Sequence, residues 1–109
     1  MAYDEGLADL MRDALAETGG ITEKKMFGGL CFMMDGNMLC GVHKGGGMFR
    51  VGKDNIAQPL AVDGAQPMAF TGRVMSGFVD ISDEALVDDQ RREVLMGLAK
   101  SFVGALPAK

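Results

Sequence analysis

KKMFGGLCFMMDGNMLCGVHKGGGMFRV, residues 24–51, is the stretch whose reading decides the fold. It divides into short strands separated by glycine-rich turns. Asp35-Gly36 is the sharpest turn signal in the chain, because a two-residue hairpin loop needs positive φ at both central positions. With those residues as the loop, uninterrupted pairing sets Met34 against Asn37, Phe32 against Leu39 and Cys31 against Cys40. One face of the hairpin then carries Cys31, Met33, Met38, Cys40 and Val42, and the other Leu30, Phe32, Met34, Leu39 and His43. Both faces are apolar, whereas a hairpin with one wet side alternates apolar and polar. Each face therefore needs a cover. The expectation is that helices of the same chain cover one and that a partner, such as a second copy, covers the other.

Outward from this meander the chain is read as a single domain. On the N-terminal side, Asp4 is placed to cap a helix whose apolar stripe is Leu7, Leu10, Met11, Ala14 and Leu15. Gly19-Gly20 ends it. Ile21 to Met26 forms a strand ahead of Leu30–Met34 and Asn37–His43. Lys44-Gly45-Gly46-Gly47 turns into a further strand, Met48 to Val51. Asp54 caps a short helix through Asn55-Ile56-Ala57-Gln58 that Pro59 ends. Pro67–Phe70 and Gly77–Ile81 are strands joined by a turn at Thr71-Gly72-Arg73. Ser82 caps a turn at Asp83-Glu84-Ala85, and Asp88 or Asp89 opens a long final helix with Leu95, Leu98, Ala99, Phe102 and Leu106 on one side. Its Gly97 and Gly104 weaken the helix by about 1 kcal/mol each, so tertiary packing must hold it. Helix, three or four strands, short helix, two strands, helix: the fold class is α+β, two layers, an antiparallel sheet flanked by N- and C-terminal helices.

Composition narrows function by exclusion. The longest apolar run, Leu30 to Met34, is far shorter than the roughly 20 residues of a spanning helix. The acidic start, Met-Ala-Tyr-Asp-Glu, has no apolar stretch behind it and is not a secretory signal. The expected location is the cytoplasm, with no membrane partner and with cysteines reduced. A net charge of −4 and a pI near 4.8 oppose whole-molecule attraction to nucleic acid. Ten methionines serve either as flexible core filler or as an adaptable binding surface.

Gly47-x-x-x-x-Gly52-Lys53 approaches a phosphate-binding loop. However, Asp54 stands where Ser or Thr would hold magnesium, and Met48 to Val51 is strand-like rather than loop-like. Cys31, Cys40 and His43 supply at most three metal ligands, one short of a structural zinc site, and no cofactor is expected. Opposed across the hairpin, Cys31 and Cys40 would lie within disulfide range; two buried reduced thiols are the alternative, and a three-residue loop would separate them. Lys24, Lys25, Lys44, Arg50, Lys53 and Arg73 could gather into a basic patch or simply guard strand edges. Gln90-Arg91-Arg92, hemmed by Asp88, Asp89 and Glu93, reads as an ordinary helix start. No enzyme is legible in this set.

The run Thr22 to Leu30 with its Met26-Phe27-Gly28-Gly29, followed by Asp35-Gly36-Asn37-Met38, Cys40-Gly41-Val42, Arg50-Val51-Gly52, Phe70-Thr71-Gly72-Arg73 and Gly77-Phe78, resembles the N-terminal domain of the TfoX/Sxy competence-regulator family. The resemblance spans about Tyr3 to Pro107. It implies a secretion-chaperone-like order, α-β(3)-α-β(2)-α. It also implies a role as transcriptional co-regulator beside a cyclic-AMP-receptor-type factor. Full-length members carry a second, C-terminal domain for which a chain ending at Lys109 has no room, and the family brings no catalytic motif.

Together these features make the expected function a homodimeric protein-interaction module with a transcription factor as partner. Its surface would comprise Lys24, Lys25, Met26, Phe27, Gly28, Gly29, Arg50 and Arg73, unless Met-Phe-Gly-Gly merely turns the chain. Direct nucleic-acid binding, and an enzyme acting on nucleotides or RNA, are the alternatives.

Overall fold

The computed structural model describes residues 3–26, 28–55, 60–70 and 73–107. Helix α1 spans Glu5–Ala14. Strands β1 (Ile21–Met26), β2 (Gly29–Met34), β3 (Asn37–His43) and β4 (Gly46–Arg50) follow as an antiparallel meander. A 3-10 turn, Lys53–Asn55, leads towards β5 (Ala65–Phe70) and β6 (Arg73–Ser82); α2 (Asp83–Leu86) and α3 (Asp89–Gly104) close the chain. The six strands form one sheet in the order β1-β2-β3-β4-β6-β5. This is the α+β architecture expected, with four strands in the first meander. Most of the expected short helix, and Thr71-Gly72, lie outside the described residues.

Local chemistry fixes the element ends. Asp4 accepts from the Gly6 and Leu7 amides at the start of α1. The Ser82 hydroxyl accepts from Ala85, and Asp88 accepts from Gln90 and Arg91 at the start of α3. Each such cap contributes about 1 kcal/mol. The hairpin loop is the one expected: Asp35 has φ 52° and Gly36 φ 85°, the two positive values of a type I′ turn.

The register beyond that turn corrects the uninterrupted pairing. Met34 opposes Asn37 and Met33 opposes Met38, but Phe32 then opposes Cys40 and Cys31 opposes Gly41. Leu39 is an extra residue, a β-bulge, and a bulge reverses the in–out alternation of everything after it. Cys40 and Val42 therefore join Leu30, Phe32 and Met34 on the face covered by helices. His43 moves to the opposite, outer face with Cys31, Met33 and Met38. Leu39 itself is fully buried in the helix-side core.

That core is built from Leu7, Ala8, Met11 and Leu15 of α1 and its C-terminal end, Leu86 of α2, Leu95, Ala99 and Val103 of α3, and the inward residues of β2, β3, β4 and β6. Gly47 stands where a Cβ would lie 2.8 Å from Leu86 Cδ2, so its missing side chain lets α2 seat closely. Across the sheet lies a second, smaller cluster: Cys31, Met48 and Met68 are buried, with Met33, Met38 and Phe78 packed against them. The outer face thus has a sulfur-rich core made by the chain itself. Two further ties bind the layers. Arg12 of α1 makes a two-pronged contact with Glu23 of β1 at 2.9 and 3.0 Å, and Asn37 donates to the Pro107 carbonyl. The Glu23 hydrogen bond holds the Arg12 guanidinium protonated and draws the Glu23 carboxyl below its usual range.

Candidate functional site

The residues expected to form one contact surface are distributed along the sheet. Lys24 and Lys25 are exposed on the edge strand β1. Lys24 pairs with Cys31 and so shares the outer face, whereas Lys25 pairs with Leu30 on the helix side. Gly28 is exposed at φ 74°. Gly29 is buried where a Cβ would come within 2.2 Å of the Val42 carbonyl oxygen, so β2 and β3 can meet there only without a side chain. Phe27 lies outside the described residues. Met26 and Arg73 are described by their backbone positions in β1 and β6. Arg50 sits on β4, three strands from β1, about 14 Å at the usual strand spacing. Lys24 lies on the edge strand beside the sulfur cluster, whereas Arg50 lies within the strands the cluster spans, paired with Phe78 on β6 and with Met68 lying on β5 beyond; the two cations do not adjoin.

Arg50 is the most constructed of these positions. Its guanidinium carbon lies 5.8 Å from the centroid of Phe78, its cross-strand partner, and 5.7 Å from that of Phe102 on α3. Two rings at that range hold the cation by their quadrupoles, each contributing about 0.5–1 kcal/mol when part-exposed. The setting depends on two glycines. Gly52 at φ 87° and Gly77 at φ 84° bend the chain, the Val51 and Gly52 amides both donate to the Gly77 carbonyl at 2.8 and 3.0 Å, and a Cβ on Gly52 would strike the Phe102 ring at 2.5 Å. A recess of about 250 Å³ results, lined by Arg50, Gly52, Lys53, Asp54, Gly77, Phe78 and Phe102. Among the described residues no carboxylate forms an ion pair with Arg50. The approach to a phosphate-binding loop in the sequence has no loop behind it, since Met48–Arg50 belongs to β4.

His43 acquires a partner that spacing did not reveal. Its Nε2 lies 2.6 Å from Asp80 Oδ1 across the outer face, and its Nδ1 accepts from the Gly45 amide, so the neutral ring carries its proton on Nε2 and donates to Asp80. Gln66 donates to the other Asp80 oxygen at 3.2 Å. The Asp80 hydrogen bond raises the His43 pKa against the opposing effect of burial. Burial pushes the Asp80 carboxyl up, but the hydrogen bonds from His43 and Gln66 outweigh it, and the net shift is downward. With both ring nitrogens engaged, His43 is a clasp between the β3–β4 turn and β6 rather than a free base.

The bulge also separates the thiols. Cys31 belongs to the outer cluster and Cys40 to the main core, both as free cysteines, which removes the cross-strand disulfide. Burial pushes both thiols up, Cys40 further than Cys31. Among the described residues no three His, Cys, Asp or Glu side chains converge as a metal site, and no helix is long and apolar enough to cross a membrane. Arg92, read as part of an ordinary helix start, is buried instead. It donates to the Leu86 carbonyl at 2.9 Å and to Asp89 at 2.6 Å, locking α2 to α3.

No curated protein and no solved structure matches the chain. The family model described as the TfoX N-terminal domain matches residues 13–102. That span takes in Met-Phe-Gly-Gly, the hairpin, the Arg50 recess and most of α3, and the chain belongs to the TfoX N-terminal domain family.

Proposed function

We propose that this chain is a regulatory module that works by contact with another protein, a transcription factor, through the outer face of its sheet. The observation that carries this reading is the methionine-rich outer cluster. Met33, Met38 and Phe78 stay part-exposed above buried Cys31, Met48 and Met68, while every described helix with residues in the main core lies on the opposite side. Methionine is unbranched and polarizable, so such a surface fits a partner of irregular shape. Lys24 on the edge strand β1 and Arg50 beside Phe78 add positive charge to it. Membership of a competence-related regulatory family supports the same reading.

The test is a binding measurement with a purified cyclic-AMP-receptor-type transcription factor. It compares the native chain with a Met33→Glu, Met38→Glu double variant whose folding is verified by circular dichroism. Saturable binding that the double variant loses supports the proposal; binding that survives the two charges overturns it. A second copy is the competing occupant of the same face. Sedimentation across a wide concentration range would then show a mass of twice 11.6 kDa that the double variant halves.

A further inference from the structure

The recess beside Arg50 has features that contact between proteins through the outer face does not require. The geometry points to a binding site for a small oxyanion, a phosphate or a carboxylate, held by Arg50 with Lys53 at the rim. Arg50 is half-buried, its guanidinium carbon is within 6 Å of two aromatic rings, and it forms no ion pair with a described carboxylate. A guanidinium placed in this way is already immobilised, so little side-chain entropy remains to be lost when its donor fork meets two oxygens of an anion. In this chain Arg12, Arg91 and Arg92 each already have a carboxylate within 4 Å. The recess volume of about 250 Å³ lies just below the usual range for small-molecule pockets, which suits an anionic group on a compact body rather than a large cofactor. Lys53 is exposed at the mouth. Asp54 also lines the recess; its carboxylate opposes an anion, leaving Arg50 and Lys53 with one net positive charge in a chain of net charge −4. The site is therefore a weak one, tuned by Asp54.

The experiment is a ¹H–¹⁵N NMR titration of the full chain, including the arginine Nε–H region, with inorganic phosphate, adenosine monophosphate and succinate, each matched by chloride at equal ionic strength. Expected are saturable shifts at Arg50 Nε and at the Gly52, Lys53 and Gly77 amides. Phosphate and adenosine monophosphate acting without succinate identify a phosphate site; succinate alone identifies a carboxylate site. Arg50→Met should remove the shifts, Lys53→Met should weaken binding several-fold, and Asp54→Asn should tighten it several-fold. The Lys53 and Asp54 variants keep the test decisive if Arg50→Met does not fold. Absence of saturable shifts with all three anions, shifts that persist in folded Arg50→Met, or affinity indifferent to both Lys53→Met and Asp54→Asn would overturn the assignment. The sites share Arg50 and Phe78, but the outer-face test rests on Met33 and Met38, which do not line the recess, so the failure of one proposal is distinguishable from failure of the other.

Discussion

The bulge at Leu39 can be tested by placing the same polar residue at two positions that an uninterrupted hairpin would put on one face. Val42 and Met38 would then be equivalent; in the bulged register Val42 faces the helices at 2% exposure, while Met38 is half-buried on the outer face. Val42→Asn loses the burial of a whole valine side chain, about 1.5–3 kcal/mol. It also leaves an amide without partners in the core, about 1–3 kcal/mol more. The sum, about 2.5–6 kcal/mol, is a large part of the roughly 5–15 kcal/mol that keeps a typical domain folded. For a chain near 100 residues it lowers the melting temperature by roughly 10–25 °C. Met38→Asn forfeits only part of a methionine's burial and lets the amide reach water, so about 1 kcal/mol is expected. The poor strand propensity of asparagine is common to both variants and cancels in the comparison. Urea unfolding followed by circular dichroism gives both free energies. Equal losses at the two positions would refute the bulged register and, with it, the separation of the two cysteines.

Ellman's reagent should find both thiols of the folded protein unreactive and both available after unfolding, since Cys31 and Cys40 are 2% and 0% exposed; mass spectrometry should find no intramolecular disulfide. Stability should depend on pH through the His43–Asp80 pair. The contribution of His43 is present below its ordinary value of 6.5 and lost as pH rises through its raised folded value. That of Asp80 is present above 3.8 and lost as pH falls through its lowered folded value. Denaturation curves collected from acid to mildly alkaline pH should show both slopes flattened in Asp80→Asn. Gly97→Ala should raise stability by up to about 1 kcal/mol, because beyond the adjoining backbone of its own helix no atom lies within 4 Å of the added Cβ. Gly29→Ala should lower it, because there the added Cβ meets backbone; thermal melts of the pair check both signs.

Legibility in the sequence followed the range of the interaction. Asp4, Ser82 and Asp88 act on amides two or three residues away, and Asp35-Gly36 acts on its own backbone, so residue type alone located the caps and the hairpin. The bulge was hidden for a physical reason. Leu39 and Cys40 are both apolar, as are residues on both faces of the hairpin, so no polar marker shows where the alternation reverses. His43 could be noticed as the sole histidine, but Asp80 is 37 residues away. Its one local sign is a charge between Val79 and Ile81 in the otherwise apolar run Gly77–Ile81. Arg92 stands among neighbouring carboxylates that make it look solvated, and only one of its two partners, Asp89, is among them; the other is the Leu86 carbonyl.

In the sequence Arg50 is one of several cations, and what distinguishes it is contributed by residues without side chains. Gly52 and Gly77 adopt backbone angles that L-residues avoid, and their amide and carbonyl groups tie the end of β4 to β6. That bend brings α3 in, and the absent Cβ on Gly52 is the space occupied by Phe102. The second ring beside Arg50 therefore exists because of a glycine. Gly52→Ala should disturb the recess without touching Arg50: the added methyl must displace Phe102, and φ 87° becomes strained. Such a site has no spacing signature. It follows from where the chain can bend and from which cation lacks a carboxylate once it has bent, and both become visible only after the helix and the sheet are packed together.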